Sequence, residues 1–229
     1  MNILVFAPHP DDEVLGCGGT IKKHVNAGDK VFVCVVTSGK PPVFDNSVAV
    51  KNGWPHTLFP EAMEAKKALG VEDYFFLELP CVLLEREPRY EVNSKIMDVI
   101  NKVRPEIVYM PHFGDMQKDH LITAEAIMVA VRPKNEHIVR SVYSYETLSE
   151  TEWNIPHSCN AFIPNTFIDI SEVLQDKITA LCCYKSQVGE FPNPRSIEAV
   201  EALARYRGST MGSKAAEAFM LVREYRKND

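Results

Sequence analysis

Asn2-Ile3-Leu4-Val5-Phe6-Ala7-Pro8-His9-Pro10-Asp11-Asp12-Glu13-Val14-Leu15-Gly16-Cys17-Gly18-Gly19-Thr20 decides the reading of the chain. The run from Asn2 to Ala7 is short, mostly apolar and rich in branched side chains, which is the pattern of a strand buried on both faces. It stops in Pro8-His9-Pro10-Asp11-Asp12-Glu13, too early for a secretory signal, and no basic residues precede it. An amphipathic helix is expected from Val14 to Asn26, with Gly28 as its stop. The glycines at 16, 18 and 19 are read as letting that helix pack closely on the sheet. They lack the spacing of a dinucleotide fingerprint, and the acids before them would repel a pyrophosphate.

The same alternation continues outward. Lys30 to Thr37, Tyr74 to Glu78 and Glu106 to Met110 read as further buried strands. Helices are expected over Pro60 to Leu69, ended by Gly70, and over Glu91 to Val103, before Pro105. A helix after Asp119, a strand from Ile138 to Glu146 and a strand-then-helix unit near Phe167 to Tyr184 extend the pattern. Ala215 to Tyr225 reads equally as helix or edge strand. Ser38 to His56 and Ser149 to Pro164 carry prolines and little periodicity, so they are expected to be long loops that wall a pocket and select its ligand. This predicts an α/β fold, a single-domain Rossmann-like three-layer sandwich over residues 1–229 with a mostly parallel sheet. With strand order 3-2-1-4, ligands would sit beyond the carboxyl ends of strands one and four.

Bulk properties narrow the function. The 229 residues carry a formal net charge of −6, which gives no general attraction to nucleic acid or anionic lipid. No segment approaches the roughly 18–20 apolar residues of a spanning helix, so a cytoplasmic protein without membrane insertion is expected. The six cysteines show no C-x-x-C spacing and read as reduced thiols, with Cys182 and Cys183 on one helix, one facing the core and the other not. A homo-oligomer is compatible with everything above.

The loops after strands one and four are also where histidine and aspartate crowd: His9 to Glu13, and His112-Phe113-Gly114-Asp115-Met116-Gln117-Lys118-Asp119-His120. Adjacent acids are costly to hold together as anions unless a cation sits beside them. Two imidazoles and one carboxylate suit a catalytic divalent ion that keeps positions open for water and substrate. Glu13 is placed at the start of the first helix, where the dipole favours an acid whatever the function. His24, His56, His137 and His157 have no partner cluster and are read as solvated or loop residues.

Ala7 to Thr20 resembles the opening A-H-P-D-D-E motif of the LmbE-like, or PIG-L, deacetylases, and Asp115 to His120 is similar to the second signature of that family. Similarity continues through Tyr145-Glu146, Thr151-Glu152-Trp153, Phe162-Ile163-Pro164-Asn165, Pro194-Arg195-Ser196 and Ala216-Glu217-Ala218-Phe219. The resemblance implies a Zn2+-dependent deacetylase of N-acetylglucosamine-type sugars. It implies His9, Asp12 and His120 as metal ligands and Asp11 as general base; another divalent ion such as Fe2+ would also suit the donors. Asp11 is also the adjacent carboxylate not committed to the metal.

Two positions depart from the family pattern. Gln117 stands where many relatives have a histidine, and glutamine donates a hydrogen bond but no proton, so His112 becomes the candidate imidazolium. Asn193 replaces a second histidine before Pro194-Arg195. Arg195 and Asp115 are the expected substrate contacts, with pairing to a core acid as the alternative for Arg195. Two rival functions remain: a two-histidine, one-carboxylate iron oxygenase, and a sugar-binding protein that keeps the metal but has lost turnover.

Overall fold

Ile3, Val5 and Ala7 of the first strand enter one apolar core, while Leu4 and Phe6 enter a second on the opposite face. This strand, β1 (Asn2–Ala7), is an inner strand of a seven-stranded sheet. In the computed structural model, which describes residues 1–39, 58–134 and 137–226, the other strands are β2 (Lys30–Thr37), β3 (Asp73–Leu79), β4 (Ile107–Pro111), β5 (Ser141–Tyr145), β6 (Thr166–Asp169) and β7 (Ala216–Glu224). Their order is β3-β2-β1-β4-β5-β7-β6. The first five run parallel, and β7 pairs antiparallel with both β5 and β6. The mostly parallel α/β fold and the 3-2-1-4 segment are as the sequence predicts.

Six α-helices belong to the described residues: α1 (Asp12–Asn26), α2 (Phe59–Leu69), α3 (Arg89–Val103), α4 (Lys118–Ala130), α5 (Leu174–Leu181) and α6 (Ile197–Ser209). Helices α1, α2 and α5 cover the face that carries Val5 and Val33. Helices α3 and α4 cover the face that carries Phe6 and Val108. None of the described helices is long and apolar enough to cross a membrane.

The glycines of α1 act as expected. A Cβ on Gly16 would lie 2.2 Å from Cδ2 of Tyr145 on β5, and one on Gly19 would lie 2.7 Å from Ile170. Tyr145, fully buried, fills the space over Gly16 and donates its hydroxyl to the Phe6 carbonyl at 2.7 Å.

Other expectations need correction. Ala216–Glu224 is a strand, but it lies inside the sheet, and β6 takes the edge. Helix α6 has no counterpart in the sequence reading, although Ser196 caps it by accepting the Ala199 amide at 3.2 Å. Cys182 and Cys183 lie just beyond α5, the first exposed and the second half-buried. His24 is not solvated: it bonds Asp29 through Nδ1 at 2.8 Å and the Tyr109 hydroxyl through Nε2 at 3.0 Å. His137 is half-buried, with Nε2 on the Pro105 carbonyl at 2.6 Å. Most of the proposed Ser38 to His56 loop, His56 included, lies outside the described residues.

Candidate metal centre

The carboxyl ends of β1 and β4 point at one place. His9 leaves β1, Asp11 and Asp12 open α1, and Asp119 and His120 lie in the first turn of α4. Ligand atoms of His9, Asp12 and His120 all lie within 4.8 Å of one another, and the three residues are buried. Asp12 Oδ2 is 3.3 Å from His9 Nδ1 and 3.3 Å from His120 Nε2. Asp12 Oδ1 and His120 Nε2 are buried without a hydrogen-bond partner. Buried polar atoms are normally paired, so two orphans facing an imidazole and a carboxylate fit an ion that takes their lone pairs. Two nitrogens and one oxygen suit zinc or a similar borderline divalent ion.

Each imidazole is aimed by a second carboxylate. Asp115 Oδ2 meets His120 Nδ1 at 2.8 Å, and Asp119 Oδ2 meets His9 Nε2 at 3.0 Å. Asp115 is itself fixed, because Oδ1 accepts the Thr151 hydroxyl at 2.6 Å. Both its oxygens are therefore occupied by protein partners. Asp119 accepts the Val82 amide at 2.6 Å and the Leu84 amide at 3.3 Å, both from the segment after β3. Cys81 belongs to a second cluster with His9 and Asp119, again with ligand atoms within 4.8 Å. Carboxylates behind the imidazoles fix their tautomer and raise their basicity.

Electrostatics follow from this crowding. Burial alone would lower both imidazoles. Asp119 and Asp12 outweigh it at His9, which is held well above its usual range, and Asp12 and Asp115 raise His120 to about 10. Burial would raise Asp12, but His120 and His9 hold it well below the ordinary carboxylate range. Burial pushes neighbouring Asp11 up to about 7, against the pull of the Arg195 guanidinium. Two adjacent carboxylates are thus driven apart, one permanently anionic and one poised to exchange a proton near neutrality.

Asp11 is also conformationally unusual. It is the residue before α1, with φ 118° and ψ −28°, in the region that favours glycine. Holding a non-glycine residue there costs on the order of 1–3 kcal/mol and marks functional positions. Its Oδ2 accepts Arg195 Nη1 at 3.0 Å. Arg195 also donates to Ser149 Oγ at 2.8 Å and to Gln187 Oε1 at 3.1 Å. Arg195 is thus paired with an acid of the site itself, Asp11.

His112 and Gln117 sit on the loop side. His112 is fully buried, with Nε2 on the Asn160 carbonyl at 2.9 Å, Nδ1 without a partner, and the ring against Phe113 and Phe162. Gln117 precedes α4; its amide donates to Glu150 Oε2 at 3.1 Å, and its side-chain oxygen is buried and unpaired. The Ser149 to Pro164 segment therefore supplies Ser149, Glu150, Thr151 and Asn160 to the surroundings of the site.

Sequence reasoning missed the supporting shell: Asp119, Glu150, Thr151, Ser149 and Gln187. Asp119 carried a signal, since it stands beside His120 in a helix-opening Asp-His pair. Gln187 carried none.

Comparison with known proteins agrees with this geometry. Residues 4–131 match the family model described as PIG-L, GlcNAc-PI de-N-acetylase. The diacetylchitobiose deacetylase of Thermococcus kodakarensis is 29% identical over 246 residues, covering 96% of this chain and 82% of that protein. A probable N-acetyl-alpha-D-glucosaminyl L-malate deacetylase 2 of Bacillus cereus is 31% identical over 192 residues, covering 81% and 83%. Among solved structures, a conserved protein from Thermus thermophilus superposes with a TM-score of 0.76 at 26% identity, covering 99% of this chain and 96% of that one. The match over more than half the chain, the 31% identity and the buried histidine–aspartate centre make this chain a member of the PIG-L, or LmbE-like, de-N-acetylase family.

Proposed function

We propose that the chain hydrolyses the acetamide of an N-acetylglucosamine-type sugar or glycoconjugate in a zinc-dependent reaction with Asp11 as general base. The observation that carries this reading is the pairing of an ion-ready trio, with Asp12 Oδ1 and His120 Nε2 unpaired, with a buried carboxyl pushed up to about 7 on the residue beside it. The names of both relatives described above, each an N-acetylated-sugar deacetylase, support the substrate class.

His9, Asp12 and His120 would hold the ion. When bound, it supplies a Lewis acid for the acetyl carbonyl and lowers the pKa of a water toward neutrality. Asp11 accepts the proton of the attacking water. Because Arg195 occupies Oδ2, Oδ1 is the oxygen left for that transfer, and the same oxygen returns the proton to the leaving amine. Arg195 keeps the base ionisable rather than gripping the substrate. Gln117 Oε1 and His112 Nδ1 are both buried without a hydrogen-bond partner. We assign the Gln117 NH2, and His112 Nδ1 in the imidazolium form that keeps Nε2–H on the Asn160 carbonyl, to donate to the acetyl oxygen as negative charge develops there. Asp115 acts through His120.

The test is chelation and reloading. Protein stripped of metal and reloaded with zinc is assayed for acetate and free amine on a panel of N-acetylated amino sugars, with and without oxygen. Equal yields of both products, lost on stripping and independent of oxygen, support hydrolysis. Oxygen consumption would favour the iron oxygenase. Stoichiometric zinc and sugar binding with no acetate would favour a binding protein, the reading that Gln117 and Asn193 motivate.

A further inference from the structure

An acid in the first turn of a helix needs no function to explain it, but Glu13 is not placed as such an acid usually is. It is fully buried. Its Oε1 receives the Tyr74 hydroxyl of β3 at 3.2 Å and the hydroxyl of Tyr184, which follows α5. Both tyrosines are themselves buried. Its Oε2 receives the backbone amide of Asp11 at 3.1 Å. A carboxyl taken from water at this cost, tethered by two buried tyrosines and accepting the Asp11 amide, is placed to hold that amide.

Asp11 needs the hold. Its φ of 118° is one that an L-residue leaves unless its surroundings prevent it. Its side chain does not cap α1, so the carboxylate is left to face Arg195. The carbonyl of Asp11 is fixed by the amides of Val14 at 3.0 Å and Leu15 at 2.9 Å. The amide on the other side of its Cα is fixed by Glu13. With both peptide planes anchored, the direction of the carboxylate is set by the backbone.

We propose that Glu13, pinned by Tyr74 and Tyr184, is a positioning residue that locks Asp11 in its left-handed conformation and so aims its carboxylate. The lock rests on the reading of Asp11 as the base. Glutamine preserves it, because its carbonyl accepts the Asp11 amide and its NH2 reaches the tyrosine oxygens. Methionine has similar volume and is well suited to a buried site, but it leaves the amide orphaned.

The test compares the zinc-loaded parent with Glu13→Gln and Glu13→Met. It records kcat and KM on an N-acetylated amino sugar, zinc stoichiometry, and hydrogen exchange of the Asp11 amide by NMR. A lock predicts that Glu13→Met loses on the order of 10- to 100-fold in kcat at parental KM and zinc content. It also predicts Asp11 exchange about tenfold faster, with Glu13→Gln restoring both. Parental kcat and parental Asp11 exchange in Glu13→Met overturn the proposal. If Glu13→Met shows no cooperative thermal transition, Tyr184→Phe carries the test: a smaller fall in kcat with faster Asp11 exchange supports the lock, and parental values of both overturn it. A parent that releases no acetate sinks the deacetylase reading alone, since amide exchange still decides the lock.

Discussion

Arg195 Nη1 lies 3.0 Å from Asp11 Oδ2, so the guanidinium paired with the candidate base comes from the segment just before α6, 184 positions along the chain. Burial pushes the Asp11 carboxyl up to about 7, and Arg195 works against that push. Arg195→Leu removes the strongest pull against burial, so the carboxyl stays protonated to higher pH. Activity that depends on the anion should then rise at higher pH than in the parent. A displacement of one unit would cost roughly five- to tenfold in kcat/KM near neutrality. A pH–rate profile of the two proteins checks this, and coincident profiles would remove Arg195 from the account.

Asp115 and Asp119 stand behind His120 and His9 at 2.8 and 3.0 Å. Asp115→Asn and Asp119→Asn should each weaken zinc affinity by roughly 10- to 100-fold. Competition against a chromophoric chelator measures this. If Asp115 instead contacted substrate, its replacement would raise KM and leave zinc affinity alone.

The metal-free site carries protons that an ion must displace, because neighbouring carboxylates hold His9 well above its usual range and His120 near 10. Both imidazoles must be neutral to bind, so zinc uptake should release protons and affinity should fall as pH is lowered. Calorimetric titrations in buffers of different ionisation enthalpy detect the release. Identical apparent enthalpies in all buffers would contradict it.

A buried ion pair braces α1. Lys177 Nζ donates to Glu217 Oε1 at 2.6 Å and to the Leu15 carbonyl at 2.8 Å, and Glu217 accepts the amides of Gly19 and Thr20 at 2.9 and 2.7 Å. Lys177→Met strands a buried carboxylate and a helix carbonyl, and should destabilise the fold by about 3–5 kcal/mol. Adding Glu217→Gln should recover part of that loss by removing the unpaired charge. Urea unfolding of the single and double variants gives both numbers.

Much of this was readable beforehand, for physical reasons. The central strands are buried on both faces and therefore continuously apolar, and Gly28 and Gly70 end helices through positive φ. The order β3-β2-β1-β4 then placed His9 and His120 together. What could not be read depends on long-range contacts. The Asp11–Arg195 pair joins residues with no local pattern in common, and the backbone amides of Val82 and Leu84 that hold Asp119 leave no trace in residue identity. Helix α6 was missed for a different reason. Its buried stripe of Val200, Ala204 and Gly208 is made of small residues, which carry a weak apolar period.

Acetate release from N-acetylated glucosamine sugars by the zinc-loaded parent and by Asp11→Asn, with zinc content determined on the same samples, tests the account most directly. The account predicts release by the parent and loss of at least about 100-fold in the variant at equal zinc content. Equal release by the two proteins, or none from a fully zinc-loaded parent across the panel, would contradict it.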